Sequence, residues 1–293
     1  MNQATPLEPA STLATDGRRI AWASRRHNDA AADPARHRWL GALVAAAGVL
    51  ALWWAAVEFG GWSEIILPAP SKVWGAFIDS VTVHDGRTGL SNDYLWTHLW
   101  ASLWRILRGV FWAIVFGAPL GVLLGTWRPF ELIAEPIVGF LRSLPPLGYF
   151  SLLIIWFGID DTSKVWLLFL AAFPPITLMV AASVAAVRTE RINAALVLGA
   201  GRRQLLWRTV MPSVLPDLIT GIRLAVALAW TTIVAAETSN GLPGIGGLAW
   251  STKKELRADI AIMCVIVIGI TAVVLDTALR AVERRVVPWK GRG

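Results

Sequence analysis

Five ionisable residues of this 293-residue chain stand inside or at the edge of long apolar runs: Glu58, Arg142, Arg223, Glu237 and Asp276. A charge in such surroundings is costly, so side chains of this kind either neutralise one another or serve a path for a polar solute. Glu237 is followed by Thr238 and Ser239, a carboxylate beside two hydroxyls. The grouping suits either contact with a translocated solute or a structural ion pair, and the residues alone leave both open. Asp276 and Arg280 are four apart, which puts them on one helix face as a structural pair. Arg105 and Arg108, three apart, also share a face. They snorkel from an interface, pair inside a bundle, or mark an interfacial helix start that precedes the true span.

Other chemistry is poorly supplied. No G-x-x-x-x-G-K-S/T stretch occurs, so binding of ATP by a phosphate loop is not expected of this chain. His27, His37, His84 and His98 show no metal-ligand spacing, and no metal or other cofactor is expected. Asp160 and Asp161 fall in the polar turn Gly158–Lys164 and read as solvated carboxylates, not a catalytic pair. The single cysteine, Cys264, lies in an apolar run and excludes an intrachain disulfide. The chain does not read as an enzyme.

The elements that must position these residues follow from composition. Hydrophobic residues make up 55% of the chain and charged ones 16%, with a mean hydropathy of +0.56. That balance points to the bilayer as solvent. The formal charge of +7 is spread over the ends of apolar runs, which argues against a nucleic-acid surface. Several of the 17 tryptophans (Trp39, Trp62, Trp96, Trp127, Trp250 and Trp289) lie near those ends, where indole suits the headgroup layer.

Residues 1–38 lack apolar periodicity and read as a disordered tail. Residues 39–98 hold a first span (39–60), then a surface helix with Val73, Trp74, Phe77 and Ile78 on one side, then a polar loop, 84–93. Residues 99–287 form the core. Its further spans are expected near 95–127, 132–157, 165–187, 218–238 and 259–279, with a short tail at 288–293. The doubled small-residue spacing of Gly117, Gly121 and Gly125 lets a neighbouring helix approach closely. Pro145 and Pro146 should kink or break the third of these spans. The Gly-rich stretch 239–258 either folds back into the bundle as part of a gate or is a flexible surface loop. Lysines and arginines number 17 in the segments read as cytoplasmic and 6 in those read as external, which orients six spans with both termini inside.

The most basic of the inside segments runs from Arg188 to Pro216. Ile192, Ala195, Leu196 and Leu198 recur at helical spacing, Gly199 and Gly201 break that helix, and a second short helix from Arg202 should end at Pro212. Asn193-Ala194-Ala195, three residues, Gly199, nine residues, and Thr209-Val210-Met211-Pro212 resemble the EAA motif, E-A-A-x3-G-x9-I-x-L-P. That motif belongs to the membrane subunits of binding-protein-dependent ABC importers. Asn193, Thr209 and Met211 depart from its Glu, Ile and Leu. The blocks 66–74, 141–164, 218–237 and 283–291 are similar to the taurine, alkanesulfonate and nitrate branch of that family, most of all to taurine permeases.

The resemblance implies an all-α integral membrane protein of the type I importer permease fold in a bacterial inner membrane. It implies a second permease copy, two cytoplasmic ATPase subunits that bind the ATP and Mg, and an external solute-binding protein. Coupling to the ATPase would fall to Asn193, Ala194, Ala195, Gly199, Ala200, Arg202 and Pro212. A path or gate for a small sulfonate would draw on Tyr149, Trp156, Thr231, Thr232, Glu237, Thr238, Ser239 and Gly244. The same architecture could instead carry nitrate, bicarbonate, another alkanesulfonate, or an aromatic or pyrimidine precursor. A reading from another class is a stand-alone ion-coupled carrier using Glu237 and Asp276.

Overall fold

The computed structural model describes residues 34–84, 87–240 and 243–289. Most of the expected N-terminal tail, Gly241, and residues 290–293 of the C-terminal tail lie outside that set. The chain divides into two units, Met1–Trp62 and Ser63–Gly293. The first is one helix, α1 (Pro34–Phe59), whose apolar part is Leu43–Phe59.

The second unit begins with α2 (Pro70–Val81), which starts at a proline in the first turn, where the missing N–H would be unsatisfied in any case. Its buried face is Val73, Ala76 and Ser80, laid against the last long helix. Trp74 and Ile78 point away, a correction to the expected face: helical spacing groups Val73 with residues three, four and seven on, not with its immediate neighbour. A two-residue antiparallel ladder, β1 (Val83–His84) with β2 (Arg87–Thr88), interrupts the expected polar loop and is the departure from an all-helical chain.

Among the described residues, four helices are long and apolar enough to cross a membrane: α3 (Leu95–Thr126), α6 (Asp161–Ala185), α8 (Arg202–Ser239) and α10 (Ala258–Val286). Between α3 and α6 lie α4 (Arg128–Ser143) and α5 (Phe150–Phe157), the latter entered through the 3-10 turn Pro146–Tyr149. This pair meets at 92°, making a fifth span if the two halves are one broken crossing. The break falls at Leu144 and Pro145, where adjacent prolines disfavour a helical residue before them and remove two donors. The proline pair Pro174 and Pro175, by contrast, stays inside α6.

The core is the α3–α6–α8 contact. On α3 the small residues Gly109, Ala113, Gly117, Gly121 and Gly125 recur every fourth position. A Cβ on Gly109 would come within 2.5 Å of Leu168, on Gly121 within 2.5 Å of the Thr177 carbonyl, and on Gly125 within 2.5 Å of Val184. Side chains have been removed along one stripe so that the α6 backbone lies directly on α3.

Two short elements complete the unit. α7 (Thr189–Val197) precedes α8, and α9 (Ile245–Ser251) follows it. The helix expected to stop at Pro212 does not stop. It passes from Arg202–Gln204 through a π segment, Leu205–Val210, into regular helix from Met211 on. The Met211 N–H reaches back five residues to the Leu206 carbonyl. The wider register carries the chain up to Pro212, which has no N–H of its own to place, and Val210 and Val214 are buried against Val180 and Val184 of α6.

Candidate functional site

The chain concentrates its buried charge at the end of α8 farther from α7. Glu237 is completely buried, and its carboxylate accepts from three groups on two elements, α3 and α9. The Ser102 hydroxyl lies 2.7 and 2.9 Å from Oε1 and Oε2, and Arg105 Nη1 lies 2.7 Å from Oε1. The Gly246 backbone N–H donates to Oε2 at 2.9 Å. Arg105, 2% exposed, also donates through Nε (2.8 Å) and Nη2 (2.7 Å) to Oδ1 of Asp161, the half-exposed first residue of α6. Arg108 lies 3.8 Å from the other Asp161 oxygen and over the Trp104 ring. One guanidinium thus bridges carboxylates from α6 and α8 while rooted in α3.

This decides what the residues alone left open. Arg105 pairs inside the bundle, with carboxylates from two other helices. Asp161 is a member of the pair, not merely solvated, and Lys164, one helical turn on from Asp161, is buried as well. Arg105, Asp160, Asp161, Lys164 and Pro243 line an open cleft of about 500 Å³ beside the cluster.

The cluster also captures the Gly-rich stretch after α8. The Gly244 N–H donates to His98 Nδ1 (3.2 Å) and the Ile245 N–H to the Ser102 oxygen (3.0 Å), so three successive amides end on His98, Ser102 and Glu237. Ser102 can serve both sides because a hydroxyl donates once and accepts twice. Residues 244–248 are all buried, so the segment folds back into the bundle instead of forming a flexible surface loop. Glycine is needed at two points for room: a Cβ on Gly244 would lie 2.5 Å from the Glu237 carboxyl carbon, and one on Gly246 would lie 2.6 Å from the Val234 carbonyl. His98 and Ser102 were absent from the expected site residues. Their signal was present: His98, Ser102 and Arg105 form one polar stripe, about one turn apart, on an otherwise apolar helix.

The remaining path candidates scatter. Thr231 is exposed and Thr232 buried, and both hydroxyls donate 2.8 Å to the Leu228 carbonyl of their own helix. Thr238 does the same with Ala235 at 2.7 Å. Their donors are therefore spent within α8 in this conformation. Ser239 is exposed at the α8 end, Tyr149 is half-buried in the break before α5, and Trp156 is exposed.

At the opposite end of α8, α7 closes with Gly199 at φ +83°. The Gly199 N–H bonds Leu196 O (2.9 Å) and the Ala200 N–H bonds Ala195 O (3.0 Å), the paired arrangement of a glycine-terminated helix. A side chain at 199 would strain the left-handed backbone that this turn requires. Asn193, Ala194, Gly199 and Arg202 are exposed, Ala195 and Ala200 partly so, and Pro212 is half-buried within α8. Val197 and Leu198 are 86% and 87% exposed at the tip. Ser183 donates to Asp217 at 2.6 Å and ties α6 to α8 near this hairpin. Asp276 accepts from Arg223 at 2.7 Å and pairs with Arg280, so the expected i,i+4 pair has a third member on α8. Glu58 and Arg142 are exposed near helix ends.

A family model described as "Binding-protein-dependent transport system inner membrane component" matches residues 113–288. The taurine transport system permease protein TauC of Escherichia coli K12 is 38% identical over 243 residues, 83% of this chain and 87% of TauC. The bicarbonate transport system permease protein CmpB of Synechococcus elongatus is 30% identical over 199 residues, covering 68% of this chain and 71% of CmpB. Among solved structures, the MetNI methionine ABC transporter in inward-facing conformations superposes on 66% of this chain and 97% of its own, with a TM-score of 0.58 at 21% identity. That last likeness is one of fold.

Proposed function

The chain belongs to the binding-protein-dependent transport system inner membrane component family, and we propose that it is the permease subunit of an ATP-driven importer for a small sulfonate such as taurine. In this reading six spans, α1 and the α4–α5 pair included, cross a bacterial inner membrane with both termini cytoplasmic. A second copy completes the path, two cytoplasmic subunits bind and hydrolyse ATP with Mg, and an external binding protein delivers the solute.

The observation that carries the coupling role is the α7–α8 hairpin. Its apolar tip, Val197 and Leu198, is almost fully exposed beside Arg188, Arg191, Arg202 and Arg203, a position more suited to a protein groove than to water or lipid. Ala194 and Ala195 permit close approach there, and Asn193 offers an amide where the family motif has a carboxylate. Motion of an ATPase groove would pass directly into α8, because no linker separates hairpin and span. At the other end of α8 the Glu237–Arg105 clasp and the fold-back of α9 act as the outer gate.

Taurine is favoured over other cargo by the relative at 38% identity. The bicarbonate permease relative keeps bicarbonate, nitrate and other small anions as the second reading. The ion-coupled carrier reading weakens, since Glu237 and Asp276 are each engaged by arginine. The coupling role is tested by Gly199→Trp in the complex reconstituted with its ATPase and binding-protein partners. Loss of solute-stimulated ATP hydrolysis and uptake is expected; retention of both refutes it. Cargo is tested by thermal shift of the co-encoded binding protein with taurine, ethanesulfonate, nitrate and bicarbonate, and stabilisation by nitrate or bicarbonate alone would move the assignment to the second reading.

A further inference from the structure

A second charged cleft, of about 340 Å³, opens where α10 ends and is lined by Arg223, Arg280, Glu283, Arg284, Val287 and Pro288. Arg223 Nε bonds Asp276 Oδ1 at 2.7 Å and Arg223 Nη1 stands 3.6 Å from Glu283. Arg280 Nε donates to the other Asp276 oxygen at 2.8 Å. Three guanidinium groups therefore face two carboxylates, which leaves a net positive charge in the cleft. Arg280 and Arg284 are exposed and turn toward the surroundings of the protein.

The position of the cleft identifies what it meets. α10 is 29 residues long, and the stretch between Asp259 and Arg280 is uncharged except for Asp276 near its end, about 20 residues or ~30 Å of helix, the thickness of a hydrocarbon layer. Val265, Ile266, Ile270, Val273 and Val274 are exposed along it. Arg280 and Arg284 follow Val273 by seven and eleven residues, so they stand above it on the same helical face. Trp289, also exposed, lies just beyond, where indole marks a headgroup layer. An apolar strip of hydrocarbon length crowned by arginines around a cleft has the chemistry of one amphiphile: apolar chains with an anionic head.

We propose that this cleft binds the phosphodiester of an anionic phospholipid, held by Arg280 and Arg284 while its acyl chains lie along Ile270 and Val273. Guanidinium matches phosphate oxygens in a fork that an ammonium does not provide. Arg223 links the bound headgroup to α8, so lipid occupancy reports on the span that also carries the hairpin.

The test uses the full chain in nanodiscs of phosphatidylcholine with one-fifth phosphatidylglycerol, with retained lipid counted by native mass spectrometry. Wild type should retain phosphatidylglycerol preferentially. Arg284→Gln should lower that preference about fivefold and Arg280→Gln/Arg284→Gln about thirtyfold, while Arg285→Gln, outside the cleft, should change it less than about twofold. An equal loss in Arg285→Gln would show diffuse surface charge and overturn the site, as would an unchanged ratio in the double variant. Displacement of phosphatidylglycerol from wild type by 10 mM inorganic phosphate would overturn the lipid assignment in favour of a small-anion site. Arg284 is exposed, so its variant reads out binding without a folding cost.

Discussion

Glu237→Gln is the sharpest probe of the clasp. The carboxylate sits where the Ser102 hydroxyl, Arg105 Nη1 and the Gly246 N–H converge as donors. A carboxamide offers one oxygen and one NH2, so at least one donor must face another donor. Removing one member of a buried ion pair costs about 3–5 kcal/mol, and the low end, about 3 kcal/mol, applies because Asp161 still neutralises Arg105. Asp161→Asn is the matched control: its side chain is 50% exposed, and loss of such a pair costs about 0–1 kcal/mol. Hydrogen exchange in nanodiscs reads the difference at the peptide carrying Gly244, Ile245 and Gly246, whose amides end on the clasp. Glu237→Gln should speed exchange there by about two orders of magnitude and Asp161→Asn by less than about fivefold, with the centre of α6 unchanged in both. Equal acceleration in the two variants, or less than about fivefold in Glu237→Gln, would refute the view that this carboxylate holds the fold-back in place.

Gly244→Ala should destabilise by about 1–3 kcal/mol, since its Cβ meets a carboxylate pinned by several bonds; a thermal melt no lower than wild type would contradict the packing. On α3, Gly121→Leu must push against the Thr177 carbonyl and Val180 and should lower the melting temperature, whereas Gly139→Ala on α4, with open space around it, should be neutral or mildly stabilising. Leu198→Glu changes a side chain that packs on almost nothing, so stability should shift by less than about 0.5 kcal/mol. In the same variant co-purification of the ATPase subunits should fail, and unaltered co-purification would separate the hairpin from ATPase docking.

What the residues disclosed beforehand divides by physical cause. Long apolar runs are set by the bilayer, so the spans at α3 and α6 were legible to within four residues, whereas α8 begins 16 residues before its expected start and α10 runs seven residues past its expected end. Gly199 was legible because a helix that turns sharply needs a left-handed residue. The π segment before Pro212 was not, because nothing local marks it: α6 keeps Pro174 and Pro175 in regular helix, so the change of register before Pro212 is a matter of packing and not of local preference. The partnering of Arg105 was hidden for a related reason. Its carboxylates lie 56 and 132 residues away in sequence, and burial of a charge becomes intelligible only when the topology brings opposite charges beside it. The Gly-rich fold-back was ambiguous because glycine signals both slack and close approach, and only the positions of Glu237 and Val234 separate the two.

The unbroken run of α8 from Arg202 to Ser239 has a mechanical consequence. At 38 residues it is a rod of about 57 Å, so a tilt of one degree about its middle of mass or its far end moves a terminus by at most about 1 Å. The hydrogen bonds of Glu237 are lost once their 2.7–2.9 Å contacts lengthen by less than that. A lever only a few degrees out of true at the hairpin would therefore undo the clasp at the other face, and the helix needs no internal joint to do it.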